Sequence, residues 1–241
     1  MRSLSARISA ATLCTAATLV LGACGSLLDD PAAQSAPFPG LTGPEIINRA
    51  VATTRAASPV RLTVTTESAD GPEQVFVAAG ARGECTGTFS MGAAGTMELV
   101  RTQGTVYTKS DEAMLREAAA DGTDGADAGK AIKRLTGRWI KARPGDRRTE
   151  ESLRYCDPLN ILDRLAKASD TATTGKRATV AGTPSLTLTG QAGGEKWTAS
   201  VATEGKPYVL KTRITDSSGK PVTVEFSEFG KPITVKRPTT K

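Results

Sequence analysis

The 241-residue chain contains no histidine. Ser-His and Cys-His nucleophilic pairs, histidine acid-base chemistry and histidine metal ligands are therefore excluded together. The remaining reactive patterns are thin. Ser217-Ser218-Gly219-Lys220 spells S-x-x-K, the nucleophile motif of serine acyl-enzymes, but it sits in a Gly-Lys-Pro turn without a K-T-G partner. Around Ser90, Thr88 stands where a G-x-S-x-G elbow needs its first glycine. Glu150 and Glu151 could do acid-base work, yet adjacent carboxylates on a polar segment are usually just solvated. Asp121, Asp124 and Asp127 lie three apart among glycines and alanines, without the alternate-position oxygens of an EF-hand loop, and read as a solvated loop. The expectation is a protein with no enzymatic activity, no cofactor and no metal.

Cysteine carries the sharper chemistry. Leu21-Gly22-Ala23-Cys24 ends an apolar run from Ile8 to Val20, preceded by Arg2 and Arg7. That is the order of a signal peptide, and the run is too short to span a bilayer comfortably. An ordinary signal peptide has no need of a cysteine directly after its small residues, whereas this tetrapeptide resembles a bacterial lipobox. The resemblance implies cleavage between Ala23 and Cys24 and a diacylglyceryl thioether on the Cys24 sulfur. Residues 1–23 are then a lipoprotein signal peptide, and the mature chain is held on the extracytoplasmic face of the cell membrane through Cys24. At about 0.8 kcal/mol per buried CH₂, two acyl chains anchor firmly where one binds only marginally.

Of the four cysteines, Cys14 leaves with the leader and Cys24 is acylated, so Cys85 and Cys156 remain. Outside the cytoplasm they are expected to pair. The bond would stabilise the fold by about 4 kcal/mol in the chain-entropy model. Without histidine or a C-x-x-C spacing, zinc and redox readings are poor.

The formal charge is +6 and falls to about +4 once Arg2 and Arg7 are removed. No nucleic-acid partner is implied. A run of Lys133, Arg134, Arg138, Lys141, Arg143, Arg147 and Arg148 is either a solvated face that guards strand edges or a patch facing anionic headgroups.

These residues must be positioned by the elements downstream of Cys24. Residues 24–40 are rich in Gly, Ser, Ala and Pro and read as a flexible tether with a reach of about 20 Å. A single domain is expected over 41–238. Thr42-Gly43-Pro44-Glu45 is a T-x-x-E capping pattern and opens a helix that runs to about Ala57. From Val60 the apolar period becomes two, and five short strands follow to Lys109, joined by turns such as Gln103-Gly104. Helical stretches around 111–120 and 128–135 interrupt the meander, and Gly137-Arg138-Trp139-Ile140-Lys141 returns to a strand. Asp157-Pro158 starts a further helix with Leu159, Ile161, Leu162 and Leu165, placing Cys156 just before it. A second meander of five strands occupies the rest, its apolar positions including Leu186, Leu188, Val201, Leu210 and Val224.

Lipobox, capped helix, a meander ending in Thr105-Val106-Tyr107, a helical insertion with Gly137-Arg138-Trp139-Ile140, and a second meander with Gly205-Lys206-Pro207-Tyr208 and Phe229-Gly230-Lys231-Pro232 together resemble actinobacterial LppX/LprAFG-type lipoproteins. These are similar in fold to the LolA/LolB group. The resemblance implies an α+β fold: an open, curved antiparallel β half-barrel of about eleven strands with helices on the concave side. It also implies a lipid or other hydrophobic ligand carried between sheet and helices. Alternation nominates Leu62, Val64, Val77, Leu99, Val106, Leu186, Leu188, Val201, Leu210 and Val224 to line such a site, with Leu159, Leu162 and Leu165 covering it. Few bulky side chains are available to fill the interior, which favours a cavity. The alternative is a non-catalytic interaction or regulatory lipoprotein whose half-barrel is filled by its own side chains and which binds a protein partner that the sequence does not name.

Overall fold

The computed structural model describes residues 37–68, 71–120, 126–215 and 219–240. Cys24, the leader, most of the expected tether, Asp121, Asp124, Ser217 and Ser218 lie outside the described residues.

Helix α1 (Gly43–Arg55) opens on the expected cap. The Glu45 carboxylate accepts from both the backbone N–H and the hydroxyl of Thr42, at 2.7 Å each. These bonds hold its pKa below the usual glutamate value, the backbone bond being the larger cause. Ile46, Ile47, Ala50, Val51 and Thr54 recur at helical spacing and form its buried stripe.

The strands are β1 (Val60–Ser68), β2 (Gly71–Ala79), β3 (Cys85–Met91), β4 (Thr96–Thr102), β5 (Thr105–Ser110), β6 (Ile140–Lys141), β7 (Thr173–Val180), β8 (Thr183–Ala192), β9 (Glu195–Ala202), β10 (Val209–Thr215) and β11 (Pro221–Ser227). They form one antiparallel sheet in the order β6-β5-β4-β3-β2-β1-β11-β10-β9-β8-β7. The two meanders are joined by β1 and β11, with Leu62 opposite Phe226 and Val64 opposite Val224. The sheet is not closed, since β6 and β7 stand at opposite edges. The expected α+β half-barrel is the observed fold.

Apolar residues line up in rows across one face. Leu62 faces Val77, Val77 faces Gly87, and Gly87 faces Leu99; the next row is Val64, Val75, Phe89 and Met97. Gly87 is required by crowding in its row: a Cβ there would lie 3.0 Å from the Phe89 ring and 3.1 Å from Val77. In β10 the register shifts between Val209 and Lys211. Val209 is consequently the residue fully buried in the core, while Leu210 is buried outside that core.

Between the meanders lie α2 (Glu112–Ala120), α3 (Ala126–Leu135), α4 (Arg147–Leu153) and α5 (Leu159–Lys167). Asp111 starts α2 by accepting from the Met114 amide at 2.8 Å, and Asp146 starts α4 through the Thr149 amide at 3.1 Å. Helices α1 and α5 pack on each other, and their buried stripes join the core of the sheet. Leu162 and Leu165 of α5 are buried there, but Leu159 is 45% exposed. It is the first residue of α5, and its three-residue spacing rotates it off the stripe of Leu162 and Leu165. A single 3₁₀ turn, Arg154–Cys156, precedes α5, and Cys156 is disulfide-bonded to Cys85 at the start of β3, with Cα atoms 5.6 Å apart.

Candidate functional site

The structure brings eight of the ten residues expected to line a ligand site together, in one core. Leu62, Val64, Val77, Leu99, Leu186, Leu188, Val201 and Val224 are buried in one continuous core with the α1 stripe, Leu162 and Leu165. Val106 is only half-buried and packs against that core from its margin. Leu210 is displaced from it by the β10 register shift. The small strand residues that suggested an empty interior are compensated by Phe89, Met97, Trp197 and Phe226, which fill the same face. Alternation identifies the inner face of a sheet; it does not distinguish a packed face from an open one.

Two open spaces lie at the ends of the layer between sheet and helices. One end holds a cavity of about 370 Å³, which we call the mouth, between the last turn of α1, the first turns of α5 and the β2–β3 connection. Val60, Cys156, Leu162 and Phe226 supply buried apolar walls, and exposed Leu159 stands at its edge. Two guanidinium groups also border it. The Arg101 Nε–H donates to the Gly83 carbonyl at 2.5 Å, and Arg55 is ion-paired with Asp163. The hydroxyl of Thr54, also on the wall, is already used in both directions: it donates to the Ala50 carbonyl at 2.8 Å and accepts the Val209 amide at 2.9 Å.

At the other end a groove of about 400 Å³ runs between β3, α4 and α5, bordered by Phe89, Met91, Tyr155 and Ile161, with Arg148, Arg154 and Arg164 around it. The Phe89 and Tyr155 rings are tilted at 56° with centroids 6.1 Å apart. Burial, and then the charge of Glu73, push the Tyr155 phenol above its usual pKa. The turn Arg154–Cys156 stands between the two spaces, with Cys156 on the mouth and Tyr155 on the groove. The disulfide holds it there.

Aliphatic walls with guanidinium groups at the edge suit an apolar chain that ends in an anion. Of the mouth residues named here, sequence reasoning identified Cys156, Leu159 and Leu162. Arg101 and Arg55 carry no signature, because a single arginine in a strand or at a helix end looks like any surface charge. Among the described residues no group of three or more Cys, Asp or Glu is placed to hold a metal.

No protein-family profile matches the chain, and no curated protein matches it. Among solved structures, the Mycobacterium tuberculosis lipoprotein LppX aligns over 86% of this chain and 100% of its own, with a TM-score of 0.50 at 12% identity. An uncharacterised conserved protein of Thermus thermophilus aligns over 76% and 85% of the two chains, at 13% identity and TM-score 0.37. MucB in the Pseudomonas aeruginosa MucA/MucB complex aligns over 76% of this chain and 55% of that one, at 15% identity and TM-score 0.36. This chain thus spans about half the MucB length, and the last two likenesses are too loose to carry an argument. The LppX likeness concerns the fold: the chain has an open, curved α+β half-barrel like that of the lipoprotein.

Proposed function

We propose that this chain is an extracytoplasmic lipoprotein, anchored through acylated Cys24 and a tether over residues 24–40, whose folded body over 41–238 is a binding module for a single apolar chain with an anionic end. The observation that carries the reading is the mouth, with its apolar walls and with Arg101 and Arg55 at its edge. Its volume lies at the small end of the ~300–1,000 Å³ typical of ligand sites. One acyl chain is a suitable occupant; a lipid with several chains would require α1 and α5 to separate from the sheet. Binding is passive, driven by removal of the acyl chain from water, with the guanidinium groups fixing the polar end.

A fluorescent twelve-carbon fatty acid titrated into the purified protein tests this. Saturable binding near one equivalent is expected. Ala81→Trp, an exposed lining position, should abolish it without lowering the unfolding midpoint, and Arg101→Gln should weaken it about tenfold. No saturable binding by the folded wild-type protein would remove the carrier reading.

One observation favours a second reading. Eight of the ten inner-face residues form a closed core, as expected of an interaction or regulatory lipoprotein that needs no cargo. In that case the fatty acid will not bind, organic extracts of the native protein will contain no stoichiometric lipid, and crosslinking in the intact envelope will recover a protein partner.

A further inference from the structure

Helix α3 differs from every other long helix of the fold. Ala128, Ala131, Ile132 and Leu135 recur at helical spacing, yet none of the residues 128–135 is buried. By contrast α1 and α5 bury their apolar stripes in the core. Helix α3 packs on α2, and neither Ile132 nor Leu135 joins the core of the sheet. The chain that follows carries the same character to the sheet edge, where Trp139 and Ile140 are half-buried at and beside β6.

Charge accompanies this stretch. Over residues 128–148 there are eight Lys or Arg and one acidic residue, Asp146, whose carboxylate is occupied in capping α4. Lys133, Arg134, Arg138, Lys141 and Arg143 are all exposed. Elsewhere on the surface the arginines and lysines are often balanced, as in Arg55–Asp163, Arg61–Glu228, Arg164–Glu195 and Lys211–Glu225. Lys109 lies 5.6 Å from the centre of the Trp139 ring. A helix with half-exposed apolar residues on one side, cations on the other and an indole beside it has the composition of a segment that lies in a membrane interface. Arg147 is paired with Glu151 and Arg148 donates to the Met114 carbonyl; β6 is only two residues long, so guarding its edge does not account for Lys133, Arg134, Arg138, Lys141 and Arg143.

From these observations we infer that α3 and the chain through Arg143 form a docking surface for an anionic phospholipid bilayer. Lys133, Arg134, Arg138, Lys141 and Arg143 meet the headgroups, while Ile132, Leu135 and Trp139 enter the interface. This surface is at the β6 edge. The body begins at the opposite edge, where Gly43 lies so close to the Ala172 carbonyl that a Cβ would come within 2.2 Å of its oxygen, immediately before β7. A contact at the β6 edge therefore orients the body against the membrane, which a flexible anchor alone would not do. The inference does not depend on the mouth holding a ligand.

The test uses residues 24–241 carrying Cys24→Ser, so that neither an acyl group nor the apolar leader contributes and the compact body over Pro37–Lys241 is kept whole, with phosphatidylglycerol or phosphatidylcholine vesicles containing brominated lipid. The chain has two tryptophans, and Trp197 is only 4% exposed, so contact quenching reports Trp139. Quenching is expected with phosphatidylglycerol, not with phosphatidylcholine, and should diminish as salt is raised; Trp139→Phe should abolish it. Lys133→Glu with Arg138→Glu should weaken vesicle binding at least about tenfold, and Lys196→Glu with Lys206→Glu, an equal change of charge elsewhere, far less. The inference fails if wild-type Trp139 is not quenched, or if the two charge-reversal pairs weaken binding equally. It also fails if dextran sulfate binds the protein while vesicles do not, which would assign the patch to a polymeric anion.

Discussion

At Val209 the β10 register shift leaves a buried amide without a strand partner, and α1 supplies the acceptor in the hydroxyl of Thr54. Thr54 is itself buried, and its proton goes to the Ala50 carbonyl. Thr54→Val preserves shape but strands the Val209 N–H. It should cost about 1–3 kcal/mol in urea unfolding, with Thr54→Ser recovering most of the loss; an unchanged midpoint in the valine variant would show that the amide finds another acceptor. Helical spacing puts Thr54, unlike Thr53, on the buried face, but nothing in the sequence marks its hydroxyl as needed, because the requirement arises in a strand 155 residues away. The cysteines are the opposite case. Cys85 and Cys156 were legible by elimination, and the structure bonds them. Replacing both with alanine should lower stability by about 4 kcal/mol, given the 71-residue separation. Two free thiols in the denatured, unreduced soluble domain over 41–238, which holds Cys85 and Cys156 but neither Cys14 nor Cys24, would contradict the bond. For Cys24, which the described residues do not include, Cys24→Ser is expected to accumulate an uncleaved precursor that takes up no labelled fatty acid; normal maturation would remove the anchor from the proposal.

Elements were more legible than sites, and the reasons are local. Period-two alternation places strands wherever one face is buried, and the caps at Thr42 and Asp111 fix where α1 and α2 begin, whereas the Asp146 cap of α4 emerges only in the structure. The misreadings occur where position along an element overrides its period. Leu210 follows the β10 pattern but lies in the register shift, and Leu159 shares the α5 spacing but is the helix's first residue and is exposed. The α1 cap also has a pH dependence. Glu45 is depressed in the folded state by its bonds to Thr42, so as pH falls the unfolded chain takes up this proton first. Its contribution is complete above the ordinary glutamate pKa and is lost as pH falls through the depressed value. Glu228, lowered mainly by its hydrogen bond from Arg61, acts in the same direction. Unfolding midpoints measured from pH 6 down to pH 3 should decline more steeply for wild type than for Glu45→Gln. Parallel curves would mean that the cap contributes nothing measurable.

Across the whole molecule, the outer face of the sheet poses a question that the core does not answer. Val100 and Tyr107 face each other across β4 and β5 and alternate with Leu99 and Thr108, so when Leu99 points into the core they point out. Both are nonetheless covered, at 7% and 3% exposure. The cover is the chain after β11. Gly230 donates its amide to the Ala57 and Pro59 carbonyls at 2.8 Å, Ile233 reaches Gly80 at the end of β2, and the Arg237 guanidinium lies 5.7 Å from the centre of the Tyr107 ring. The segment therefore crosses from the start of β1 to β5. Its half-buried Ile233 and Val235 alternate with exposed Thr234 and Lys236, so it follows a strand's period outside the hydrogen-bonded sheet. It acts as a strap over the first meander. Ending the chain after Gly230 should expose both side chains and cost about 2–4 kcal/mol, while Arg237→Ala alone should cost only about 0.5–1 kcal/mol. Gly80 is also part of the mouth wall, so the truncated protein should bind the fluorescent fatty acid with a changed affinity, whereas Arg237→Ala should not alter it. A truncation that leaves both the urea midpoint and the affinity at wild-type values would show that the strap lies on the sheet without supporting it.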